Sequence, residues 1–154
     1  MATTVERHRS ATPVHLWIVG LLATLWNAFG CYDYVMTRMR NTDYIKSAMP
    51  GVDPNAALAW VDAMPIYAQI GWGLGVWGGL LGVVLLLMRS RYAVWAFAVS
   101  MVGIVLSLGY QIVVAPPLAG ADTGINKIIP YVVIAIGFAL LVYANAMLKK
   151  AVLR

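Results

Sequence analysis

The sequence predicts an all-α fold, a bundle of four transmembrane helices forming a single domain over residues 1–154. Three observations carry this. Spans at 14–36, 66–88, 92–115 and 128–148 each reach the ~20 residues a helix needs to cross a bilayer core. The only charge within them is Asp33, near the end of the first. The spans are apolar nearly all the way round, whereas the helices of a water-soluble bundle carry a polar stripe. A composition of 62% hydrophobic and 11% charged residues would give a soluble globule a sticky surface.

Taken in order, the first span follows Arg7-His8-Arg9 and ends near Gly30-Cys31, an arrangement similar to a secretory signal. Phe29 fits a cleavage site poorly and the apolar run is long, so an uncleaved first helix is expected. The connection over 37–64 is too long for a hairpin turn. Within it Asp53-Pro54 reads as an N-cap followed by proline at the first helical position. Ala57, Leu58, Trp60, Val61 and Met64 give the short helix that follows an apolar side for the membrane surface. Pro65 opens the second span. Arg89-Ser90-Arg91 makes a tight turn into the third, so these two helices should pack as an antiparallel pair. The connection over 116–127 is punctuated by proline and glycine, and Pro130 suits the first turn of the fourth helix.

The net charge of +5 comes from basic residues clustered at the span ends rather than in a patch facing nucleic acid. Arg7, Arg9, Arg89, Arg91, Lys149, Lys150 and Arg154 share one side with Glu6 as the only acid. On the other side Arg38, Arg40, Lys46 and Lys127 are offset by Asp33, Asp43, Asp53, Asp62 and Asp122. The positive-inside rule then places both termini in the cytoplasm, the topology expected of a multi-pass membrane protein with an even number of spans. The partners implied are the lipid bilayer and either further copies of the chain or a larger membrane complex. Nucleic acid is not among them.

A bilayer gives no hydrophobic drive for helix association, so small residues that let backbones approach are the packing signal. The second span has Gly71, Gly75 and Gly79 at steps of four, with Gly78 and Gly82 beside them. The third answers with Ala96, Ser100, Gly103 and Ser107, and the first with Gly20, Ala23, Thr24, Asn27 and Cys31. Tight packing within the chain is the expectation; the lining of a narrow pore or a seam between subunits would suit the same face. Trp17, Trp72, Tyr92 and Trp95 near the span ends fit an interfacial aromatic belt.

No catalytic signature is present, and no enzyme activity is expected. His8, His15 and the single Cys31 cannot make a metal cluster of usual spacing, and no cofactor is implied. Gly71-Trp72-Gly73-Leu74-Gly75 has phosphate-loop glycines but lies in an apolar span without a following lysine. Polar groups at the span ends are the better candidates, because each needs a partner in lipid. Alternating helix directions bring Asp33, Gln69, Tyr110, Gln111 and Lys127 to one level on the outer side, as a candidate polar pocket for a hydroxyl-rich solute. The alternative for the same residues is an interfacial belt, with Asp33 paired to Arg40.

Leu25-Trp26-Asn27-Ala28-Phe29-Gly30, then Tyr32-Asp33-Tyr34-Val35-Met36-Thr37 and Arg40-Asn41 with Tyr44 behind, resembles a family of small bacterial four-helix membrane proteins. Members read W-N-x-x-G, then D-Y-x-M-T and N-x-x-Y. The family's second span is similar to residues 75–87 here, followed by a basic pair and an alanine, as in Arg89-Ser90-Arg91-Tyr92-Ala93. The resemblance covers the first three helices, and Met49-Pro50-Gly51-Val52-Asp53 departs from an acidic, aromatic stretch in the family's first loop. Such proteins are often labelled sugar transporters, which implies carriage of a small polar, sugar-like solute. The alternative expectation is a non-catalytic accessory or assembly subunit docking on a larger membrane complex.

Overall fold

A computed structural model describes residues 12–121 and 124–154. Glu6, Arg7, His8, Arg9 and Asp122 lie outside the described residues. These comprise six α-helices and no strand: α1 (Val14–Arg38), α2 (Thr42–Ala48), α3 (Pro54–Asp62), α4 (Ile66–Leu87), α5 (Tyr92–Val113) and α6 (Ile129–Lys149), with a 3-10 turn at Gly124–Lys127. Four of them, α1, α4, α5 and α6, are long and apolar enough to cross a membrane, which marks the chain as a membrane protein. α1 runs past the expected end to Arg38. α5 stops at Val113, ahead of Pro116-Pro117, where a helix would lose its donors.

The closest interface lies between α4 and α5, and its residues are those with little or no side chain. Gly71, Gly75, Gly79 and Gly82 on α4 are buried, as are Ser100, Gly103 and Ser107 on α5. A Cβ at Gly103 would lie 2.5 Å from the Gly75 nitrogen and 2.6 Å from the Gly71 carbonyl oxygen, so the two backbones touch there. Ser100 Oγ donates to the Gly75 carbonyl at 2.6 Å, which satisfies a buried hydroxyl across the seam. Lower down, the Phe97 ring covers Gly82.

α1 lies along another side of α4 and uses the same device. Leu87 fills the space over Gly20, and the Asn27 side-chain oxygen occupies the space over Gly79. Asn27 Nδ2 donates to the Ala23 carbonyl of its own helix at 2.8 Å, so this mid-helix amide is bonded rather than stranded. α6 packs on α5, with Ile104 and Met101 facing Gly137.

At one end, here called the basic end, Leu16, Val83, Leu86, Phe97, Leu140, Ala144 and Met147 from all four long helices form a buried cluster. Val152 and Leu153 of the tail plug into it. The tail is held by backbone pairing to the α4–α5 turn: Arg154 N–H donates to the Arg89 carbonyl at 2.8 Å and Arg91 N–H to the Arg154 carbonyl at 2.7 Å. Arg89 and Ala151 turn the chain with positive φ of 60° and 54°. The next N–H in each case reaches back to a carbonyl of the last helical turn, Ser90 to Leu85 and Val152 to Met147, as in a Schellman closure.

The opposite end is covered by a small cap. Ile45, Val52, Ala57 and Leu58 are buried together, with Tyr44, Met49, Leu118 and Ala121 packed around them. Asp53 caps α3 by accepting from Asn55 N–H and Ala56 N–H, and Pro54 follows as expected. The apolar side of α3 is therefore covered in part by protein, α2 and the 116–121 segment, where the sequence suggested a lipid surface. Trp60 Nε1 donates to the Pro116 carbonyl at 2.8 Å, and Gly120 lies against the Gly51 carbonyl. The two long connections thus form one structure that ties the α1–α4 side to the α5–α6 side.

The seam generates a paired prediction. Gly103→Ala places a methyl into backbone and should lower stability by about 1–3 kcal/mol, the range for overfilled cores. Gly109→Ala meets nothing within 4 Å and should be neutral or stabilising by up to about 1 kcal/mol from helix propensity. Thermal melting in detergent measures both.

Candidate functional site

Polar and aromatic side chains concentrate at the cap end, on α1, α2 and the start of α4. Their placement follows from local chain geometry. α1 ends at Arg38, Arg40 with its φ of 58° reverses the chain two residues later, and Asn41 then caps α2 by accepting from Tyr44 N–H at 2.9 Å. That cap fixes the first turn of α2 so that Tyr44 returns to the side of α1.

Asp33 meets Tyr44 there. The Tyr44 hydroxyl donates to Asp33 Oδ1 at 2.8 Å, and the Tyr32 ring stands edge-on to Tyr44 at 5.3 Å. Burial pushes the Tyr44 phenol well above its ordinary pKa, and its hydrogen bond to the Asp33 carboxylate raises it further. The phenol is thus a donor across the ordinary pH range. Arg40 is not the partner of Asp33. It forms an ion pair with Asp62 at 3.0 Å, joining the end of α1 to the end of α3 across two exposed side chains.

Gln69 bonds elsewhere. Its Nε2 donates to the Met64 carbonyl at 2.8 Å, while its Oε1 accepts from Arg38 Nη1 at 3.0 Å. The Arg38 guanidinium rests over the rings of Tyr34, 5.4 Å from the centroid, and Trp72, at 5.3 Å. These rings meet edge-to-face at 4.8 Å, and Trp77 extends the aromatic row beyond Tyr34. Tyr110 stands against Tyr67 at 6.1 Å, Gln111 donates to Ser107 Oγ at 3.2 Å, and Lys127 is exposed on the 3-10 turn.

Four of the five residues expected at one level therefore take separate partners, Asp33 with Tyr44, Gln69 with Arg38, Tyr110 with Tyr67 and Gln111 with Ser107, while Lys127 lies exposed on its turn. No two of them are hydrogen bonded to each other. Of the cap-end cluster, Tyr34 and Tyr44 stood out in the sequence only as residues of a motif and Arg38 only as a charge at the end of the first span. A signal existed in the Tyr34–Arg38 spacing, since residues four apart stack on one helix face. Trp72 was legible only as a belt residue, because its partner lies on another helix. Among the described residues no group of three or more His, Cys, Asp or Glu gathers that could hold a metal. The chain matches no family model, no curated protein and no solved structure.

Chemically, the arrangement offers hydrogen bonding and cation–π contact. Tyr44→Phe should cost about 1–3 kcal/mol, because it leaves the half-buried Asp33 carboxylate without its donor. It also changes the alkaline limb. A phenol whose folded pKa is raised contributes stability that is whole below the ordinary value of 10.0 and is lost as pH rises through the folded value. Thermal melts across pH 8–12 should show that alkaline loss in the wild type and less of it in Tyr44→Phe.

Proposed function

We propose that this chain is a non-catalytic accessory subunit of a bacterial inner-membrane assembly, docking through its helices on a larger membrane protein. The observation that supports this most is the closed α4–α5 seam, where the Gly71 carbonyl and the Gly75 nitrogen press on Gly103. Backbone contact along the centre of the molecule fills the space through which a solute would pass within one copy. Asn27 and Ser100, two of the polar side chains deep in the helices, are bonded to backbone of this same chain, and Ser107 Oγ accepts from Gln111. What remains for recognition is on the outside, including an apolar cleft lined by Ala98, Met101, Val102, Val105, Leu106 and Leu141 on α5 and α6. Such a cleft between two helices has the form that accepts a partner helix.

A second reading, carriage of a small polar solute, is favoured by the polar cluster of Asp33, Tyr44, Arg38 and Gln69 at the cap end. Acids, amides and aromatic rings together are the chemistry that hydroxyl-rich solutes require. In that case the path lies between copies of the chain, and the protein works as an oligomer.

Mild-detergent purification from native membranes separates the two. A stoichiometric larger partner is expected for the subunit; a homo-oligomer whose melting temperature rises with added sugar would support the carrier instead. The orientation assigned is N-in and C-in, from the Arg89, Arg91, Lys149, Lys150 and Arg154 cluster. Reporter fusions at Ala119 and after Arg154 should register opposite sides of the membrane, and equal signals at both would refute the assignment.

A further inference from the structure

Arg38 is the best-organised cation of the cap end, and it is not neutralised. Tyr34 and Trp72 lie beneath its guanidinium, and one N–H is bonded to Gln69 Oε1. Gln69 is itself aimed by its bond to the carbonyl of Met64, a residue only 4% exposed, so the anchor of this chain of contacts is fixed. Three carboxylates of the cap end are already committed elsewhere: Asp62 to Arg40, Asp33 to Tyr44, and Asp53 to the N-terminus of α3, while the exposed Asp43 forms no ion pair with Arg38. Among the described residues no carboxylate comes within ion-pair distance of Arg38. A guanidinium carries five donors in a planar fork, and Gln69 uses one.

We propose that Arg38, with Tyr34, Trp72 and Gln69 as its frame, is a binding site for a phosphate oxyanion at the cap-end surface of the protein. Aromatic rings below and an amide at one side hold the fork in place before binding, so little side-chain freedom is lost when two phosphate oxygens meet it. The neutral partner makes the difference from Arg40: glutamine orients the guanidinium without cancelling its charge, whereas Asp62 cancels that of Arg40. The site lies at the end of a long apolar helix, among rings of interfacial type, which is the depth of lipid headgroup phosphates. The same fork takes a soluble phosphate. This assignment stands apart from the subunit and carrier readings, since either kind of protein could hold such a site.

The test uses the full chain, purified in an uncharged detergent. Inorganic phosphate is titrated while tryptophan emission is followed, with Trp72→Phe supplying the background of the other tryptophans. In parallel, the protein is reconstituted in vesicles of phosphatidylglycerol or of uncharged galactolipid. A saturable response to inorganic phosphate identifies a soluble ligand; a response confined to phosphatidylglycerol vesicles identifies the headgroup. In either arm Arg38→Gln should weaken binding by about tenfold or more, the scale of one charge-assisted hydrogen bond. Arg38→Lys, which keeps the charge and the fold but loses the fork, should also bind more weakly than wild type, while Arg40→Gln should bind as wild type. No response in either arm, an Arg38→Lys variant as good as wild type, or an equal loss in Arg40→Gln would overturn the proposal.

Discussion

The molecule depends on the absence of side chains where α4 meets α5. In lipid, helices gain little from hiding apolar surface, because the solvent is as apolar as they are. What they gain comes from contact at short range, and contact at short range requires that nothing stand between the backbones. Gly71, Gly75 and Gly103 meet that requirement, and Ser100 adds the one hydrogen bond that crosses the seam. The remaining long helices attach to this pair on separate sides, α1 to α4 and α6 to α5.

The two ends are finished differently. At the basic end, main-chain bonds between the tail and the 89–91 turn satisfy polar groups that helix termini leave open, while Val152 and Leu153 complete the apolar cluster. At the cap end, side chains do that work. Asp33 with Tyr44 joins α1 to α2, Arg40 with Asp62 joins the end of α1 to α3, and Arg38 with Gln69 joins α1 to α4, while a second apolar cluster forms the core of the cap. The polar inventory of the cap end is therefore largely spent on holding α1, α2, α3 and α4 together. Arg38 differs because its partner is neutral.

The four long helices and the glycine face were legible in the sequence because both are local, repetitive signals. A charge-free run of about 20 residues has few other uses, and a glycine every fourth residue points its bare side in one direction. Asp53-Pro54 was legible for a similar reason, since capping acts over three residues. The partners of Asp33 and Arg38 were not. Which of Arg40, Gln111 or Tyr44 reaches Asp33 is decided by the reversal at Arg40, where an arginine occupies a left-handed conformation that its type does not announce. The cap was missed as a unit because its core draws Ile45, Val52 and Leu58 from one connection and Leu118 from another, at spacings that carry no period.

The brevity of the α4–α5 connection has a consequence for assembly. Helices joined by a short turn find each other with little loss of loop entropy, so their pairing is the first long contact the chain can make. That hairpin already contains the seam, the Ser100 bond and the Phe97–Gly82 contact. It presents two sides, each ready for a single further helix, and neither addition waits for the other. The cap is different, because its core joins residues 45–58, which precede α4, to Leu118 and Ala121, which follow α5, and so closes a longer loop. The contacts that cost least in loop closure thus lie at the centre of the molecule, and those that tie its two long connections together cost more.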